Sequence, residues 1–115
     1  MAIRAELLWA GDSFETLKSW PKETQRRIGE SLGRLQDGLE PSLRSRPMKT
    51  VGAGVFELKD QDESKWYRVI YLARVQNRIV VLHSCTKNTA KTESNDLNLA
   101  QQRLKRYREE TGNAR

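Results

Sequence analysis

The stretch that decides the fold is WYRVIYLARVQNRIVVLHS, residues 66–84 of a chain of 115 residues. Its two halves, Trp66 to Arg74 and Arg78 to Ser84, are rich in the β-branched, aromatic and apolar residues that strands favour. Gln76-Asn77 lies between them, and asparagine tolerates the positive φ that a tight hairpin turn requires. The stretch therefore predicts two antiparallel strands joined by a tight turn.

The chain before this hairpin supplies further strands. Val55 to Lys59 shows the same kind of pattern, and the polar residues 60–65 join it to Trp66, so we predict an antiparallel meander of three strands. Residues 3–9 begin with alternation and then become apolar, which indicates a first strand. Residues 41–54 contain prolines, glycines and several basic side chains, and they predict a connecting loop rather than a domain boundary.

Two helices are predicted between the first strand and that loop. Ser13 is suited to cap a short helix that carries Phe14 and Leu17. Pro21 favours the first turn of a second helix, which is expected to end near Gly38. The second helix has a single apolar stripe, formed by Ile28, Leu32, Leu35 and Leu39.

A last helix is predicted after the meander. Thr92 or Ser94 can cap its first turn. One face of this helix carries Leu97, Ala100, Leu104 and Tyr107. The tail after about residue 108 is expected to be flexible.

The predicted order is strand, helix, helix, strand, strand, strand, helix. It indicates an α+β fold in which two N-terminal helices pack on a small antiparallel sheet with a mixed edge, together with a C-terminal helix. The length suits one compact domain, so residues 1–115 are expected to form a single domain.

The charge of the chain indicates its class of partner. The formal net charge is +6 and the isoelectric point is near 9.8, and a small basic domain attracts polyanions, above all nucleic acid. A generically basic surface would give the same values. No apolar run approaches the length of a membrane span and no signal peptide opens the chain, so we expect no membrane partner. The single cysteine, Cys85, excludes an internal disulfide and fits a reducing cytoplasm, which is the expected location.

Metal and nucleotide chemistry are disfavoured by the residues that the chain offers. One histidine and one cysteine do not furnish a usual zinc site. Asp60, Asp62 and Glu63 cluster without the spacing of a calcium loop, and solvated charges explain them better. Gly52-Ala-Gly54 precedes a strand instead of opening a helix, so it is not a phosphate-binding loop. We therefore expect neither a metal nor a cofactor.

His83 and Cys85 do not form a nucleophilic pair in the predicted sheet. They are two residues apart on one strand, and side chains so spaced point in parallel rather than at each other. Cys85 is best explained as a small buried residue. His83 has two interpretations: a structural histidine at the end of a strand, or a residue that touches RNA or moves a proton.

A set of cations remains, placed on strands and in the loop after the third strand of the meander. RNA carries its own nucleophile, the 2′-hydroxyl, so fixed cations can promote cleavage by stabilising the charge that builds on the phosphate. A lysine can also act as an acid or base if crowding by other cations lowers its pKa. Arg68 lies in a strand otherwise suited to burial, and its alternative role is a salt bridge to Glu57 across the hairpin. The set consists of Lys59, Arg68, Lys87 and Lys91.

Five segments occur in a recognisable order: Gly54-Val-Phe-Glu-Leu-Lys59, Tyr67-Arg-Val-Ile-Tyr71, Ile79-Val-Val-Leu-His83, Lys87-Asn-Thr-Ala-Lys-Thr92, and a helix with Leu97, Ala100 and Arg103. Together they resemble the HigB branch of the RelE superfamily, toxins that are also grouped as phage-derived proteins. The match runs from Gly54 to Tyr107, and the helix spacing before Gly54 is compatible with it.

The resemblance implies a fold, an activity and partners. The fold has two N-terminal helices on a small antiparallel sheet with a C-terminal helix, in agreement with the order derived above. The activity is that of the toxin of a type II toxin–antitoxin system, a metal-independent endoribonuclease that cleaves messenger RNA, usually in the ribosomal A site. The second partner is a helix-turn-helix antitoxin encoded nearby, which neutralises the toxin.

The resemblance also assigns roles to residues. Arg68 corresponds to the strand arginine of the family, and Lys87 to the basic residue after the last strand. Lys59 corresponds to the basic residue that closes the Glu-Leu-Lys motif, and Lys91 to the second lysine of the loop. With His83 added, these are the expected catalytic residues. The expected RNA-binding residues are Lys49, Arg74 and Thr89.

The chain departs from the family pattern in one segment. Relatives commonly read His-Gly-Phe-x-Lys-Lys-Thr where this chain has His83-Ser-Cys-Thr-Lys-Asn-Thr89, and Glu93 replaces a proline. Loss of a lysine and an aromatic residue would weaken phosphate binding or base stacking, so the RNA preference of the family is not carried over. Tyr107 lies on the apolar helix face and is not assigned as catalytic.

Two other functions are compatible with the same sequence. The ParE branch of the superfamily poisons DNA gyrase on the same general architecture, but it typically lacks the nuclease residues that Lys59, Arg68 and Lys87 resemble. A noncatalytic nucleic-acid-binding module is the second alternative, since a basic C-terminal helix can bind phosphate backbones. A solvated helix face explains the same charges, which belong to Arg103, Lys105, Arg106 and Arg108.

Overall fold

The computed structural model describes residues 3–88 and 93–112 of the protein. Within these residues the fold is α+β, as expected, with three helices and a five-stranded mixed sheet. In chain order the elements are β1 (Glu6–Trp9), α1 (Ser13–Lys18), α2 (Lys22–Gln36), β2 (Arg44–Pro47), β3 (Val55–Gln61), β4 (Trp66–Val75), β5 (Arg78–Lys87) and α3 (Ser94–Glu110).

The sheet has the strand order β1-β5-β4-β3-β2. The antiparallel meander of β3, β4 and β5 is confirmed, and β1 joins β5 in parallel, so the expected mixed edge is present. Gln76 and Asn77 form the tight turn with φ of 53° and 60°, and Val75 pairs with Arg78 across it. The hairpin that the sequence predicts is therefore the centre of the observed sheet.

The loop predicted for residues 41–54 is wrong in part, because β2 lies within it. β2 is an edge strand that pairs antiparallel with β3, from Arg44 opposite Lys59 to Pro47 opposite Phe56. Its sequence, Arg-Ser-Arg-Pro, has no apolar alternation from which a strand could be predicted. The strand is stabilised by backbone pairing with β3. Proline is tolerated on an edge, where its missing N–H need not join the ladder. The strand adds two arginines to the sheet.

The third strand of the meander is longer than predicted. It was expected to end at Ser84, but β5 continues to Lys87, which pairs with Trp66 at the start of β4. β5 extends this far because the backbone of β4 provides pairing partners as far as its first residue, Trp66. Lys87 therefore belongs to a strand and not to the following loop.

The helix boundaries differ from the predictions at several ends. Asp12 occupies the N-cap of α1, while the Ser13 hydroxyl instead donates to the carbonyl oxygen of Val81. Pro21 precedes α2 as its N-cap. α2 ends at Gln36, so Leu39 lies outside the apolar stripe and is 51% exposed.

The ends of α3 also differ. No side-chain cap bond forms at its start, where Ser94 is the first helical residue, and the alternative cap Thr92 lies outside the described residues. α3 continues to Glu110, and residues 113–115 of the tail that is expected to be flexible lie outside the described residues.

Helices cover both faces of the sheet and form two apolar cores. α1 and α2 pack on one face, with Leu17, Ile28 and Leu32 against strand residues that include Val69 and Val81. α3 packs on the opposite face, where Ala100 and Leu104 belong to a second core. The strand residues of that second core are Val55, Ile70, Leu72, Val80 and Leu82. The sequence predicted the helices but did not assign them to opposite faces.

Within the described ranges, no helix combines the length and the apolar composition that a membrane crossing requires.

The turn of the central hairpin gives a first prediction. Replacing Gln76 with asparagine is expected to raise the free energy of unfolding by about 0.5–1 kcal/mol, because a left-handed backbone is costly for most L-residues and least so for glycine and asparagine. Urea unfolding measures the change. Gln76→Val is the control and is expected to lower the stability. An asparagine variant no more stable than wild type would show that the turn is not strained.

Candidate functional site

Five cations share one face of the sheet. Side chains two residues apart on a strand lie on the same face, and Val55 and Ile70 both contact the α3 core. Beyond them the same face carries Glu57, Lys59 and Arg68, and Lys59 pairs with Arg68 across β3 and β4. We call this surface the cationic face; it consists of Arg44, Arg46, Lys59, Arg68 and Lys87. It therefore brings together three of the expected catalytic residues, and it begins where the apolar packing of α3 ends.

Arg68 forms a buried ion pair within this face. Its Nη1 donates to Oε2 of Glu57 over 3.0 Å, and both side chains have an exposed fraction of 0%. The other carboxylate oxygen of Glu57, Oε1, accepts from Nε of Arg46 over 3.2 Å. The salt bridge to Glu57 that the sequence offered as the alternative for Arg68 is therefore present. Because the Arg68 side chain is fully buried, direct contact with a phosphate would require a local rearrangement that exposes it.

Lys59 has a different environment from the other cations. Its Nζ lies 5.3 Å from the ring centroid of Trp66, and it forms no ion pair with any residue in the described ranges. Burial lowers the pKa of Lys59, and the nearby Arg46 lowers it further, while Glu57 acts in the opposite direction. Lys59 is thus biased towards giving up its proton, with burial as the main cause and the nearby arginine as the second.

Lys87 is held by carboxylates. Its Nζ lies 2.9 Å from Oδ2 of Asp96, in the first turn of α3, and 3.5 Å from Oε1 of Glu93. The hydrogen bond to Asp96 raises the pKa of Lys87 against the effect of burial. The pKa values of the two lysines of the site are therefore shifted in opposite directions.

His83 connects α3 to the cationic face through both ring nitrogens. Nη1 of Arg103 lies 3.1 Å from Nδ1 of His83, and Nε2 lies 2.7 Å from Oδ1 of Asp96. A guanidinium only donates hydrogen bonds, so Nδ1 accepts and Nε2 carries the hydrogen that is donated to Asp96. Asp96 in turn holds Lys87. His83 is placed to orient Asp96 and has no ring nitrogen left for a substrate.

Two further hydrogen bonds hold the guanidinium of Arg103 in place. Its Nη2 donates to Oδ1 of Asp12 over 2.9 Å, and its Nη1 also donates to the carbonyl oxygen of Leu82. Gly11 has φ of +55°, and a Cβ at that position would collide with the guanidinium. The left-handed backbone favours glycine here, and the loop before α1 supports through Asp12 the chain of hydrogen bonds that ends at Lys87.

Three potential metal ligands also meet at this point. The ligand atoms of His83, Cys85 and Asp96 lie within 4.8 Å of one another and all three residues are buried. The arrangement does not fit a divalent cation, because Nε2 of His83 carries a hydrogen and Lys87 occupies the second oxygen of Asp96. Burial also raises the pKa of the Cys85 thiol to about 12, which disfavours the thiolate that a metal requires.

The remaining expected site residues are not part of this cluster. Lys91 and Thr89 lie outside the described residues. Lys49 is exposed after β2. Arg74 lies six residues beyond Arg68 on β4, about 20 Å along the strand, and its Nη2 donates to the carbonyl oxygen of Gln36.

Several residues of the site were missed by the sequence analysis. Arg44 and Arg46 were assigned to a loop, although their spacing of two is the signal of a strand face. Trp66 was noted only as the beginning of a strand. Asp96 and the contact made by Arg103 have no local signal, because His83 is 13 and 20 residues away from them.

A protein-family model matches most of the chain. The family model described as phage derived protein Gp49-like (DUF891) matches residues 15–105. The chain belongs to this family, which is part of the RelE/HigB-like superfamily of toxin–antitoxin proteins. A comparison with curated proteins finds no match.

The buried ion pair gives a second prediction. Arg68→Ala is expected to lower the free energy of unfolding by about 3 kcal/mol, since it removes a fully buried charged partner of the Glu57 carboxylate. Urea unfolding tests this. The double variant Arg68→Met with Glu57→Leu is expected to recover most of the loss.

Arg26→Ala serves as the control, because its ion pairs on α2 are exposed and contribute less than about 1 kcal/mol. A loss for Arg68→Ala as small as that of the control would contradict a structural role. Because of this role, loss of activity in Arg68→Ala alone does not identify Arg68 as catalytic.

The Asp96 carboxylate gives a third prediction. Burial works to raise the pKa of Asp96, but hydrogen bonds from His83 and Lys87 outweigh it, so the pKa is lowered. A carboxylate with a lowered pKa stabilises the fold above its unfolded pKa of about 3.9, and this contribution is lost as the pH falls through the folded value. Asp96→Asn is expected to lower the stability by about 2 kcal/mol near neutral pH.

The difference between wild type and Asp96→Asn is expected to shrink below about pH 4. Urea unfolding at a series of pH values measures it. Asp12→Asn is the matched control, because that carboxylate is 68% exposed and its pairing with Arg103 contributes less than about 1 kcal/mol. A difference that stays constant down to acid pH would contradict the assigned role of Asp96.

Proposed function

We propose that this protein is a HigB-like toxin of a type II toxin–antitoxin system and cleaves messenger RNA without a metal. The observation that carries the proposal is the cationic face, which holds two lysines in different environments. The pKa of Lys59 is lowered, and the pKa of Lys87 is raised. Membership of the Gp49-like family supports the toxin role. The resemblance to HigB supports RNA as the substrate.

The environments of Lys59 and Lys87 support different catalytic roles for the two side chains. The 2′-hydroxyl gives up its proton to solvent as its oxygen attacks the phosphorus, the bond to the 5′-oxygen breaks, and the 5′-oxygen takes up a proton. Lys59, whose pKa is lowered by burial and by Arg46, is the proposed proton donor. Lys87, held in its charged form by Asp96, stabilises the oxygens of the scissile phosphate.

The arginines have two different roles in this scheme. Arg46 is 51% exposed while its Nε is fixed by Glu57, so it can present its remaining donors to a phosphate. Arg68 is buried and fixes Glu57 from the other side. We therefore assign Arg68 as a positioning residue that acts through Glu57 on Arg46, and His83 as a positioning residue that acts through Asp96 on Lys87.

The proposed partners follow from the same resemblance. The substrate is messenger RNA in the ribosomal A site, and a helix-turn-helix antitoxin neutralises the toxin in the cytoplasm. The positive charge of the chain supports a polyanionic substrate.

Replacement of the two lysines tests the activity. Lys59→Met and Lys87→Met are each expected to slow cleavage of ribosome-bound messenger RNA by about 100-fold or more, because each removes a charge or a proton from the transition state. Primer extension on purified translating ribosomes measures the rate. Lys22→Met, which removes an exposed cation at the start of α2 on the opposite face of the sheet, is the control and is expected to cleave normally. Full activity in both lysine variants would overturn the assignment, and inhibition of purified gyrase with intact ribosome-bound RNA would favour a ParE-like toxin.

The pH dependence tests the proton donor separately. Lys59 donates only below its pKa, so the rate is expected to fall as the pH rises through that lowered value. Lys59→Arg is expected to remove this fall, because a guanidinium stays protonated throughout the accessible range. An identical fall in Lys59→Arg and in wild type would assign the proton transfer to another group.

A further inference from the structure

Trp66 stands apart from the other two tryptophans of the chain. Trp20 is 6% exposed in the α1–α2 core and contacts the ring of Tyr67, and Trp9 contacts the ring of Phe14. Within the described residues Trp66 belongs to neither apolar core, and its ring lies under the ammonium group of Lys59. A tryptophan whose ring neighbour is a cation rather than a core side chain calls for an explanation other than packing.

The position of Trp66 places it within the candidate site. It opens β4, where it pairs with Lys87 on one side and with Gln61 on the other. It is two residues from Arg68 and therefore lies on the cationic face. The ring is only partly buried, so some of its surface is open to a ligand.

A shallow cleft opens beside this ring. Its volume is about 220 Å³, which is below the roughly 300 Å³ at which pockets for drug-sized ligands begin and suits a single flat ring. The residues that line it are Arg44, Lys59, Asp60, Gln61 and Trp66. The backbone of a longer ligand would remain outside the cleft, on the cationic face.

The charge of the cleft favours an anionic chain. Its one carboxylate, Asp60, is paired with Arg27 of α2 over 2.7 Å and has an exposed side-chain fraction of 10%. Arg44 is exposed and has no ion-pair partner in the part of the chain that the structure describes. The cations of the cleft are thus not balanced by its acid.

We infer that this cleft binds one unpaired nucleobase of the RNA substrate, stacked on Trp66, next to the phosphate that Lys59 and Lys87 engage. This inference rests on the proposed function and adds a subsite to it. Bases of single-stranded RNA stack on aromatic rings regardless of their identity, because every base has a π-face. The base takes the place of the Lys59 ammonium over the ring, and Lys59 turns to the phosphate.

Binding of oligonucleotides that cannot be cleaved tests the subsite without any need for catalysis. The probe is a single-stranded tetranucleotide with 2′-O-methyl groups, compared with an oligomer of the same backbone that lacks all bases. Trp66→Ala is expected to bind the base-bearing probe about tenfold more weakly and the abasic probe with unchanged affinity. The full-length protein is used in each titration, and circular dichroism confirms that the variants are folded.

Trp66→Phe and Trp9→Phe are the matched variants. Tryptophan fluorescence is expected to be quenched by the base-bearing probe in wild type and in Trp9→Phe, and not in Trp66→Phe, which keeps a ring and part of the affinity. Equal affinity of wild type for the two probes would overturn the inference. An equal loss of affinity for both probes in Trp66→Ala would also overturn it.

The same experiment separates this inference from the proposed function. If base preference depends on Trp66 but ribosome-bound RNA stays intact, the subsite stands and the nuclease assignment fails. If RNA is cleaved while neither the affinity nor the fluorescence depends on Trp66, the nuclease assignment stands and the subsite fails.

Discussion

The buried ion pair between Arg68 and Glu57 is the constraint on which the rest of this site depends. Two charged side chains with no exposed surface lie between β3 and β4, and each needs the other because an unpaired buried charge is costly. The pair stands where the apolar packing of α3 ends, so it separates a core that stabilises the fold from a polar surface that can meet a ligand. Glu57 also fixes Arg46, and the pair thereby determines where an accessible guanidinium stands.

Around this pair, Lys59 and Lys87 have the same formal charge but different environments. Burial and the field of the neighbouring arginines act on Lys59, whereas a carboxylate from α3 acts on Lys87. The carboxylate is in turn oriented by His83 and Arg103, which connects the site to α3 and to the loop before α1. In the proposed function, Lys59 is the proton donor of this sheet and Lys87 is its fixed positive charge.

The sequence predicts the parts of the fold that have a local signal. The central hairpin follows from apolar strands around Gln76-Asn77, and the buried face of α3 follows from Ala100 and Leu104 at helical spacing. β2 could not be predicted in the same way, because an edge strand of polar residues is stabilised by pairing with β3 and not by its own pattern. For the candidate site, the sequence predicted roles for Lys59, Arg68 and Lys87, which lie together on the cationic face. The burial of Arg68 and the contact of Lys87 with Asp96 could not be predicted, because they depend on packing between elements distant in the chain.

The central claim is that fixed cations promote attack by the 2′-hydroxyl of RNA on the adjacent phosphate. The most direct test is the chemistry of the ends produced when the purified protein acts on messenger RNA bound to translating ribosomes. Attack by the 2′-oxygen expels the 5′-oxygen, so the account predicts a 5′-hydroxyl on the downstream fragment and a 2′,3′-cyclic phosphate on the upstream one. A 5′-phosphate on the downstream fragment would contradict it, because that end results from attack by water with departure of the 3′-oxygen.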